Sequence, residues 1–378
     1  MLTDELLLAW WRLRRLSGIG NIALNDIRQN LASAHHLADQ APKQLTDASL
    51  DDLIRLGLPA AKAEQYFNDE ALSAGFEALI EWCAVEHQGV LLAGVPPYPE
   101  ALASLRDAPT LLWYRGDLNS LNAPMLAIVG SRGATPAALE WTRHAAASLA
   151  EAGLCIVSGL ALGIDGAAHS GAVLSGQPNS TVAVMGTGPD LVYPARHRQL
   201  AQDIYHSGGL LLTEFAPGTK AQARHFPSRN RIISGLSVAT LVVEAGIRSG
   251  TMITARMAAD HGRDVFALPG AIANPMSKGP HQLIREGALL VESAKDILEA
   301  LSLSVNSPTS TSDLFDQNTD NKPVDIPPLV TLVDYTPTAV DVIAIRSEYS
   351  IAELMPQLLQ LELDGWLLQV PGGYCRTS

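Results

Sequence analysis

From Met125 onward, short apolar runs end repeatedly in glycine-rich or polar turns, and that alternation constrains the fold more than any other feature of the chain. Leu126–Val129 runs into Gly130-Ser131-Arg132, Cys155–Val157 into Ser158-Gly159, Thr181–Met185 into Gly186-Thr187-Gly188, and Leu210–Thr213 into Glu214. Ala239–Val243, Val265–Leu268 and a short run at Leu289–Val291 continue the series, with helical patterns between nearly all of them, the first from Pro136. Runs that are apolar throughout, rather than alternating, belong to strands buried on both faces, as in a parallel sheet covered by helices on each side. The pattern predicts an α/β fold with a doubly wound, mainly parallel sheet and Gly-rich turns after its strands.

Within the series the stretch Phe226–Ala255 stands apart. A turn at Phe226-Pro227-Ser228 and the trio Arg229-Asn230-Arg231 precede Ala239–Val243, and a second polar turn, Arg248-Ser249-Gly250-Thr251, opens a helical pattern at Met252. A buried strand between two such turns is what an open sheet uses to hold a ligand beyond its strand ends. Between Glu214 and Glu244 the chain carries Lys220, Arg224, Arg229 and Arg231 and no Asp or Glu. In a chain of net charge −13 that is a local choice, and it marks an anion site. The charge is unevenly spread: 9 Lys+Arg against 16 Asp+Glu in residues 1–124, 14 against 13 in 125–300, and 3 against 10 in 301–378. A phosphate-binding surface therefore has to be a patch in the middle of the chain.

The remaining totals exclude other classes. No apolar run approaches the roughly 18 to 20 residues of a membrane span, and the acidic amphipathic start at Asp4-Glu5 is neither a signal nor a transit peptide. Cys83, Cys155 and Cys375 lack metal spacing and suit a reducing cytoplasm.

The flanks read differently from the middle. Leu6, Leu7, Trp10, Leu13 and Leu16 keep helical spacing, Ser17-Gly18-Ile19-Gly20 stops that helix, and a second runs from about Ile22 to Leu31. Helix, Gly-Ile-Gly, helix is the outline of a helix-hairpin-helix unit. Leu53-Ile54-Arg55-Leu56-Gly57-Leu58 with Lys62 looks like a degenerate second copy. Such a unit either holds a DNA phosphate on its amides or serves as a helical packing module, since Gly also ends helices for backbone reasons. Residues 76–118 read as extended and as an addition to the sheet. Residues 302–327 read as a polar linker, and 328–378 as helices followed by a Gly-tipped hairpin, the outline of a winged helix. The expected organisation is thus 1–75 helical, 76–301 the sheet domain, 302–327 linker and 328–378 winged helix.

The loops Gly130-Ser131-Arg132, Ser158–Asp165 and Arg229–Arg231 are expected at the carboxyl ends of parallel strands, where they converge. Glycines let backbone N–H groups approach a phosphate, and arginines fork onto its oxygens. Taken singly, each glycine equally fits a tight turn. Arg132 and Arg229 are expected to face the pocket, while Arg231 pairs with Glu244 or Asp165. Phe226, set among Lys220, Arg224 and Arg229, suits either base stacking on a single strand or a loop anchor beside Pro227. His169 reads as a satisfied structural histidine. No Gly-x4-Gly-Lys-Ser/Thr and no Gly-x-Gly-x-x-Gly with a following acid is present, so neither a P-loop ATPase nor a nicotinamide enzyme is expected. No cofactor or metal is expected either.

These motifs carry a specific resemblance. Gly130-Ser131-Arg132, Ser158-Gly159-Leu160-Ala161-x-Gly163-Ile164-Asp165-x-x-Ala168-His169, Phe226-Pro227-x-Arg229-Asn230-Arg231-Ile232-Ile233-Ser234-Gly235-Leu236-Ser237 and Val243-Glu244-Ala245 to Ser249-Gly250-Thr251-x-x-Thr254-Ala255 resemble the DprA/Smf family of bacterial DNA-processing proteins. The likeness continues through Leu268-Pro269-Gly270 and Leu283–Ala288, covering roughly residues 90–300. It implies an extended Rossmann-like domain, a small N-terminal SAM-like domain and a C-terminal winged-helix domain. It also implies a cytoplasmic, non-enzymatic protein that binds single-stranded DNA, shields incoming strands, loads the RecA recombinase in natural transformation, and forms a homodimer through the Rossmann-like domain. Carried over by motif, the phosphate pocket falls on Ser131, Arg132, Ser158, Gly159, Arg229, Asn230, Ser249, Gly250 and Thr254. Gly163, Lys220, Arg224, Phe226 and Arg231 complete the candidate DNA-binding set. A rival class uses the same sheet: phosphoribohydrolases that resemble lysine decarboxylases carry Pro-Gly-Gly-x-Gly-Thr-x-x-Glu, but the turn here, Ala245–Thr251, has no glutamate after Thr251. A sequence-specific regulator acting through the winged helix is the third reading.

Overall fold

The computed structural model describes residues 3–34, 45–301 and 327–376. The polar linker expected over 302–327 lies outside the described residues except for Pro327. The described residues form two compact units, one within Met1–Asn306 and one within Ser307–Ser378.

The first unit is built on a nine-stranded sheet. Its strands are β1 (Gln88–Leu92), β2 (Leu111–Gly116), β3 (Met125–Val129), β4 (Cys155–Ser158), β5 (Thr181–Val184), β6 (Leu210–Thr213), β7 (Ala239–Val242), β8 (Asp264–Ala267) and β9 (Leu289–Leu290). They lie in the order β1-β2-β6-β5-β4-β3-β7-β8-β9. The pairs from β6 through β9 are all parallel, and β1–β2 adds an antiparallel hairpin at the β6 edge. The chain thus winds outward from β3 through β4, β5 and β6, then crosses back to place β7 on the other side of β3. The loops after β3 and β7 depart in opposite directions, which opens a crevice at the carboxyl end of those strands.

Before the sheet come α1 (Asp4–Arg15), α2 (Asn21–Ala34), α3 (Leu50–Arg55), α4 (Ala60–Asn68) and α5 (Phe76–Cys83). After β1 come α6 (Glu100–Ala103), α7 (Pro136–Glu151), α8 (Ile164–Leu174), α9 (Arg198–His206), α10 (His225–Leu236), α11 (Gly250–Asp260), α12 (Lys278–Arg285) and α13 (Ala294–Ala300). Strand pleating sorts the core. Met125, Ala127 and Val129 of β3 face Ile232, Leu236, Met252 and Leu283 of α10, α11 and α12. Leu126 and Ile128 face Ala146 and Leu149 of α7, Ile164 and Ala168 of α8, and Ile297 of α13. One strand residue out of register would exchange the two faces.

Both Gly-containing helix–turn–helix units expected near the N-terminus are present: α1–α2 across Gly18 (φ +81°) and α3–α4 across Gly57 (φ +109°). They share a core with the outer face of the hairpin, where Leu7, Trp10, Trp11 and Leu13 meet Val90, Leu92, Leu111 and Trp113. Trp11 and Trp113 stand edge to face at 6.2 Å. The extended reading from residue 76 is corrected at its start: Phe76, Leu79 and Ile80, three and four apart, give α5 an apolar face that packs on this same core.

The second unit comprises α14 (Val340–Ser347), α15 (Ile351–Leu363) and the antiparallel hairpin β10 (Leu367–Val370) and β11 (Gly373–Arg376). Its core gathers Val330, Ile343, Leu354, Leu358 and Tyr374. The helix–helix–wing order expected from the sequence is what forms.

Candidate nucleic-acid interface

Parallel strands bring the loops after β3, β4, β5 and β7 and the N-terminus of α10 to one edge of the sheet. Their glycines are required by close approach. A Cβ on Gly163 (φ +81°) would lie 2.1 Å from Ser131 O, and one on Gly130 would lie 2.5 Å from the Ile164 side chain. The β3 and β4 loops are therefore locked together, with Ile164 N donating to Ser131 O at 3.2 Å. Ser131 N donates to Glu244 O at 2.6 Å, and Thr251 Oγ1 to Gly130 O at 3.1 Å, which ties the β7 loop to the same point.

The arginine trio does not lie in a loop. Helix α10 starts at His225, so Pro227 falls in the first turn, where a missing N–H costs no intrahelical bond. Residues two apart on a helix point nearly opposite ways, and Arg229 and Arg231 do so. Arg229 is buried, 3% exposed, with Nη2 donating to Gly159 O at 2.8 Å. A Cβ on Gly159 would lie 1.6 Å from its Nη1. Burial pushes the Arg229 guanidinium down, to about 10, against the pull of Asp165, so it stays charged at neutral pH. Its Nε and Nη1 have no partner among the described residues, and a buried cationic donor left so marks a place where an acceptor belongs. Asp165 braces the same loop by accepting from Gly159 N at 3.1 Å and Ala161 N at 3.4 Å. Burial pushes its carboxyl up, against the pull of Arg229.

Arg231 reaches the other way, and the carboxylates expected for it are corrected. It pairs with Glu214 at 2.7 Å and with Asp107 at 3.2 Å, neither of them Glu244 or Asp165. Glu244 instead accepts from Thr135 N, Thr135 Oγ1 and Asn274 Nδ2 at 2.8–2.9 Å, holding the start of α7.

The exposed part of the edge is cationic and aromatic. Arg132 is exposed and lies over the Phe226 ring at 5.7 Å. Phe226 is half-buried, resting on Gly186, where a Cβ would meet it at 3.0 Å, and its ring lies 5.5 Å from that of the exposed Tyr193. Lys220 and Arg224, on the segment leading into α10, are exposed and make no ion pair among the described residues. Gly250 is open at the N-terminus of α11, and the Ser249 hydroxyl, at its N-cap, is buried without a partner. A helix N-terminus with an idle hydroxyl is a ready anion site.

Other candidates sit behind this surface. Ser158 Oγ donates to Ile128 O at 2.6 Å and Thr254 Oγ1 to Gly250 O at 3.4 Å, both side chains being buried. Asn230 is half-buried in the second turn of α10. His169 is only half satisfied: Nδ1 meets Thr181 Oγ1 at 2.7 Å, while the buried Nε2 has no partner. Ser234 and His261 come within 3.3 Å, but the serine is fully buried in α10 and bonded to helix carbonyls, so it is no nucleophile. Among the described residues no His, Cys, Asp or Glu group is arranged to hold a metal, and no helix is long and apolar enough to cross a membrane. Sequence reasoning missed Tyr193. Its only signal was an aromatic after the Gly186-Thr187-Gly188 turn, and its contact with Phe226 follows from β5 and β6 being neighbours.

A doubly wound sheet with a glycine-lined cationic edge, followed by a winged-helix unit, defines a class of nucleic-acid-processing architecture. The chain belongs to the DprA/Smf family. Residues 89–302 match the family described as DNA recombination-mediator protein A, and residues 316–373 match the DprA winged helix domain. Protein Smf of Escherichia coli K12 is 39% identical over 327 residues, 86% of each chain. The DNA processing protein DprA of Streptococcus pneumoniae is 39% identical over 272 residues, 71% of this chain and 92% of that one. The X-ray structure of DprA from Streptococcus pneumoniae superposes with a TM-score of 0.66 at 36% identity, covering 79% of this chain and 98% of that one. A Helicobacter pylori DprA structure, described for its single-stranded DNA binding mode, gives a TM-score of 0.50 at 30% identity over 55% of this chain and 94% of that one.

Proposed function

We propose that this protein binds single-stranded DNA along the carboxyl edge of its sheet and does not turn it over. The observation that carries the reading is the Arg132 guanidinium over Phe226, beside Tyr193. Aromatic faces next to an unpaired cation suit a strand whose bases are free to stack, with phosphates running over Arg132, Lys220 and Arg224. In duplex DNA those base faces are occupied. Deeper in, the Gly159 loop, Ser249 and the orphan donors of Arg229 offer hydrogen bonds to a phosphate oxygen.

The family, and the single-strand binding named for its Helicobacter pylori member, support a role in processing incoming DNA during transformation. Within that role the protein would act in the cytoplasm as a homodimer joined through the sheet domain, shield the strand and pass it to the RecA recombinase. The hydrolase alternative is disfavoured because the position of its glutamate, three residues after Thr251, is held by Thr254, a buried side chain whose hydroxyl donates to Gly250 O.

The test is binding of oligo-dT against duplex at two salt concentrations, for the parent and for Arg132→Ala. Preference for the single strand, lost with Arg132, is expected. Equal binding by parent and variant at every salt concentration would place the strand elsewhere. Steady release of ribose phosphate from a nucleoside monophosphate, dependent on Arg132, would instead restore the hydrolase reading.

A further inference from the structure

Gly159 and Leu160, in the turn after β4, carry two adjacent carbonyls, and each is held by a side chain from a different element. Gly159 O accepts from Arg229 Nη2 at 2.8 Å, and Leu160 O from His197 Nδ1 at 2.9 Å. A backbone carbonyl only accepts, so Nδ1 of His197 carries the proton. Both holders come from segments that bear an aromatic of the stacking surface. Arg229 lies three residues after Phe226 on α10, on the same side of that helix. His197 lies four residues after Tyr193, and its own N–H donates to Pro194 O at 3.0 Å, which closes the turn between them. Tyr193 and Phe226, with rings 5.5 Å apart, are thus tied to adjacent carbonyls of one turn.

That turn is itself firmly fixed. Leu160 sits at φ +55°, a left-handed conformation that a bulky residue adopts only at a cost. Its side chain is buried against Met185, Ala201 and Ile204, and Asp165 accepts from Gly159 N and Ala161 N on either side. Core packing and Asp165 therefore set the turn from within, while Arg229 and His197 couple it outward. Room for the half-buried imidazole comes from Gly166, in the first turn of α8, where a Cβ would lie 2.7 Å from His197 Cε1.

We propose that His197 is a positioning residue for the single strand. It bonds Leu160 rather than the ligand, and so sets where Tyr193 stands relative to Phe226 and to the Arg132 guanidinium over that ring. A base on the aromatic surface and the phosphate at Arg132 then meet partners already in place. The inference rests on the single-strand reading above.

A double-mutant cycle on oligo-dT binding tests it, with each variant checked by thermal melting. Tyr193→Leu and His197→Ala are each expected to weaken binding about tenfold, the scale of one lost stacking contact. Together they should weaken it by little more than Tyr193→Leu alone, because His197 then has no ring to place. His197→Ala should leave the salt slope unchanged, since no phosphate contact goes with it. His197→Asn, whose amide N–H takes the place of Nδ1–H, should bind within about twofold of the parent. Should His197→Ala melt far below the parent, His197→Gln, with its amide nearer the position of Nε2, replaces it in the cycle. Losses that multiply overturn the inference, as does either single variant binding like the parent. A salt slope lower by about 0.7 for His197→Ala, or an Asn variant no better than Ala, overturns it too. If oligo-dT binds the parent and Arg132→Ala weakens it, the single-strand reading survives any of these results. If no single strand binds at all, both readings fall.

Discussion

Arginines that look equivalent in Arg229-Asn230-Arg231 have opposite tasks, and their variants should separate cleanly from that of Arg132. Arg132→Ala removes an exposed cation lying over a ring, so the protein should melt like the parent. Its slope of log affinity against log salt for oligo-dT should fall by about 0.7, one phosphate contact. Arg231→Ala leaves the buried Glu214 carboxylate with a single hydrogen bond among the described residues, from Asn21 Nδ2 at 3.3 Å, while Arg14 stays bonded to the Glu214 backbone O. Breaking a buried pair from one side costs about 3 kcal/mol, so this variant should show a clearly lower urea midpoint. Equal melting of the two variants would contradict the division. His169 supplies a pH signature. Thr181 Oγ1 donates to Ile156 O, so it accepts from His169 Nδ1, and burial pushes the imidazole down to about 3. A histidine depressed in the fold contributes stability that is complete above its ordinary value near 6.5 and is lost as pH falls toward 3. Unfolding free energy should therefore drop by up to about 1.4 kcal/mol per pH unit over that window. The raised Asp165 carboxyl acts in the opposite direction, so the measurement is the difference between parent and His169→Gln. Parallel pH curves for the two would show that His169 is not held neutral by the fold.

At the scale of elements, α15 shows why a winged helix need not read DNA. Its inner face packs Leu354, Leu358 and Leu361, while Ile351, Met355, Leu359 and Leu363 are exposed along the outer side. The helix carries Glu353 and Glu362 and no Lys or Arg, which opposes a phosphate backbone. Deleting residues 307–378 should leave oligo-dT affinity within about twofold of the parent, and the full chain should gain no duplex affinity from this unit. Loss of most single-strand binding on deletion would refute that. The same scale shows what the sequence could reveal. The buried strands were legible to within a residue, because unbroken apolar runs ending at Gly130, Ser158 or Gly186 have few other uses in a water-soluble fold. The start of α10 was not, because Pro227 reads as a breaker unless it falls in the first turn. Nor were the partners of Arg231: Glu214 follows β6 and Asp107 precedes β2, and only the antiparallel pairing of those strands brings them together. Local spacing announces a strand or a cap; a side chain's partner across the sheet depends on topology that spacing does not encode.

For the molecule as a whole, the charge distribution and the sheet's free edge point to how two copies would meet. Residues 1–124 and 301–378 carry a net −7 each (9 − 16 and 3 − 10), so acidic flanks repel one another and leave the near-neutral middle as the favourable surface for pairing. In that middle, β9 is the last strand of the sheet, with Leu289 and Leu290 50% and 45% exposed. Two exposed leucines side by side on this edge offer an apolar surface that a second copy, related by a two-fold axis, would cover. Leu290→Lys places a charge in that seam while leaving the buried Val291 and Phe266 beneath it untouched. If the proposed dimer forms through this edge, the variant should run as a monomer in light scattering and the parent as a dimer. It should bind a short oligo-dT within about twofold of the parent, and lose affinity for a long one, because two strand surfaces on one dimer act as a bivalent site. A dimer that survives Leu290→Lys would move the interface off the β9 edge, and a parent that is monomeric at micromolar concentration would remove the dimer altogether.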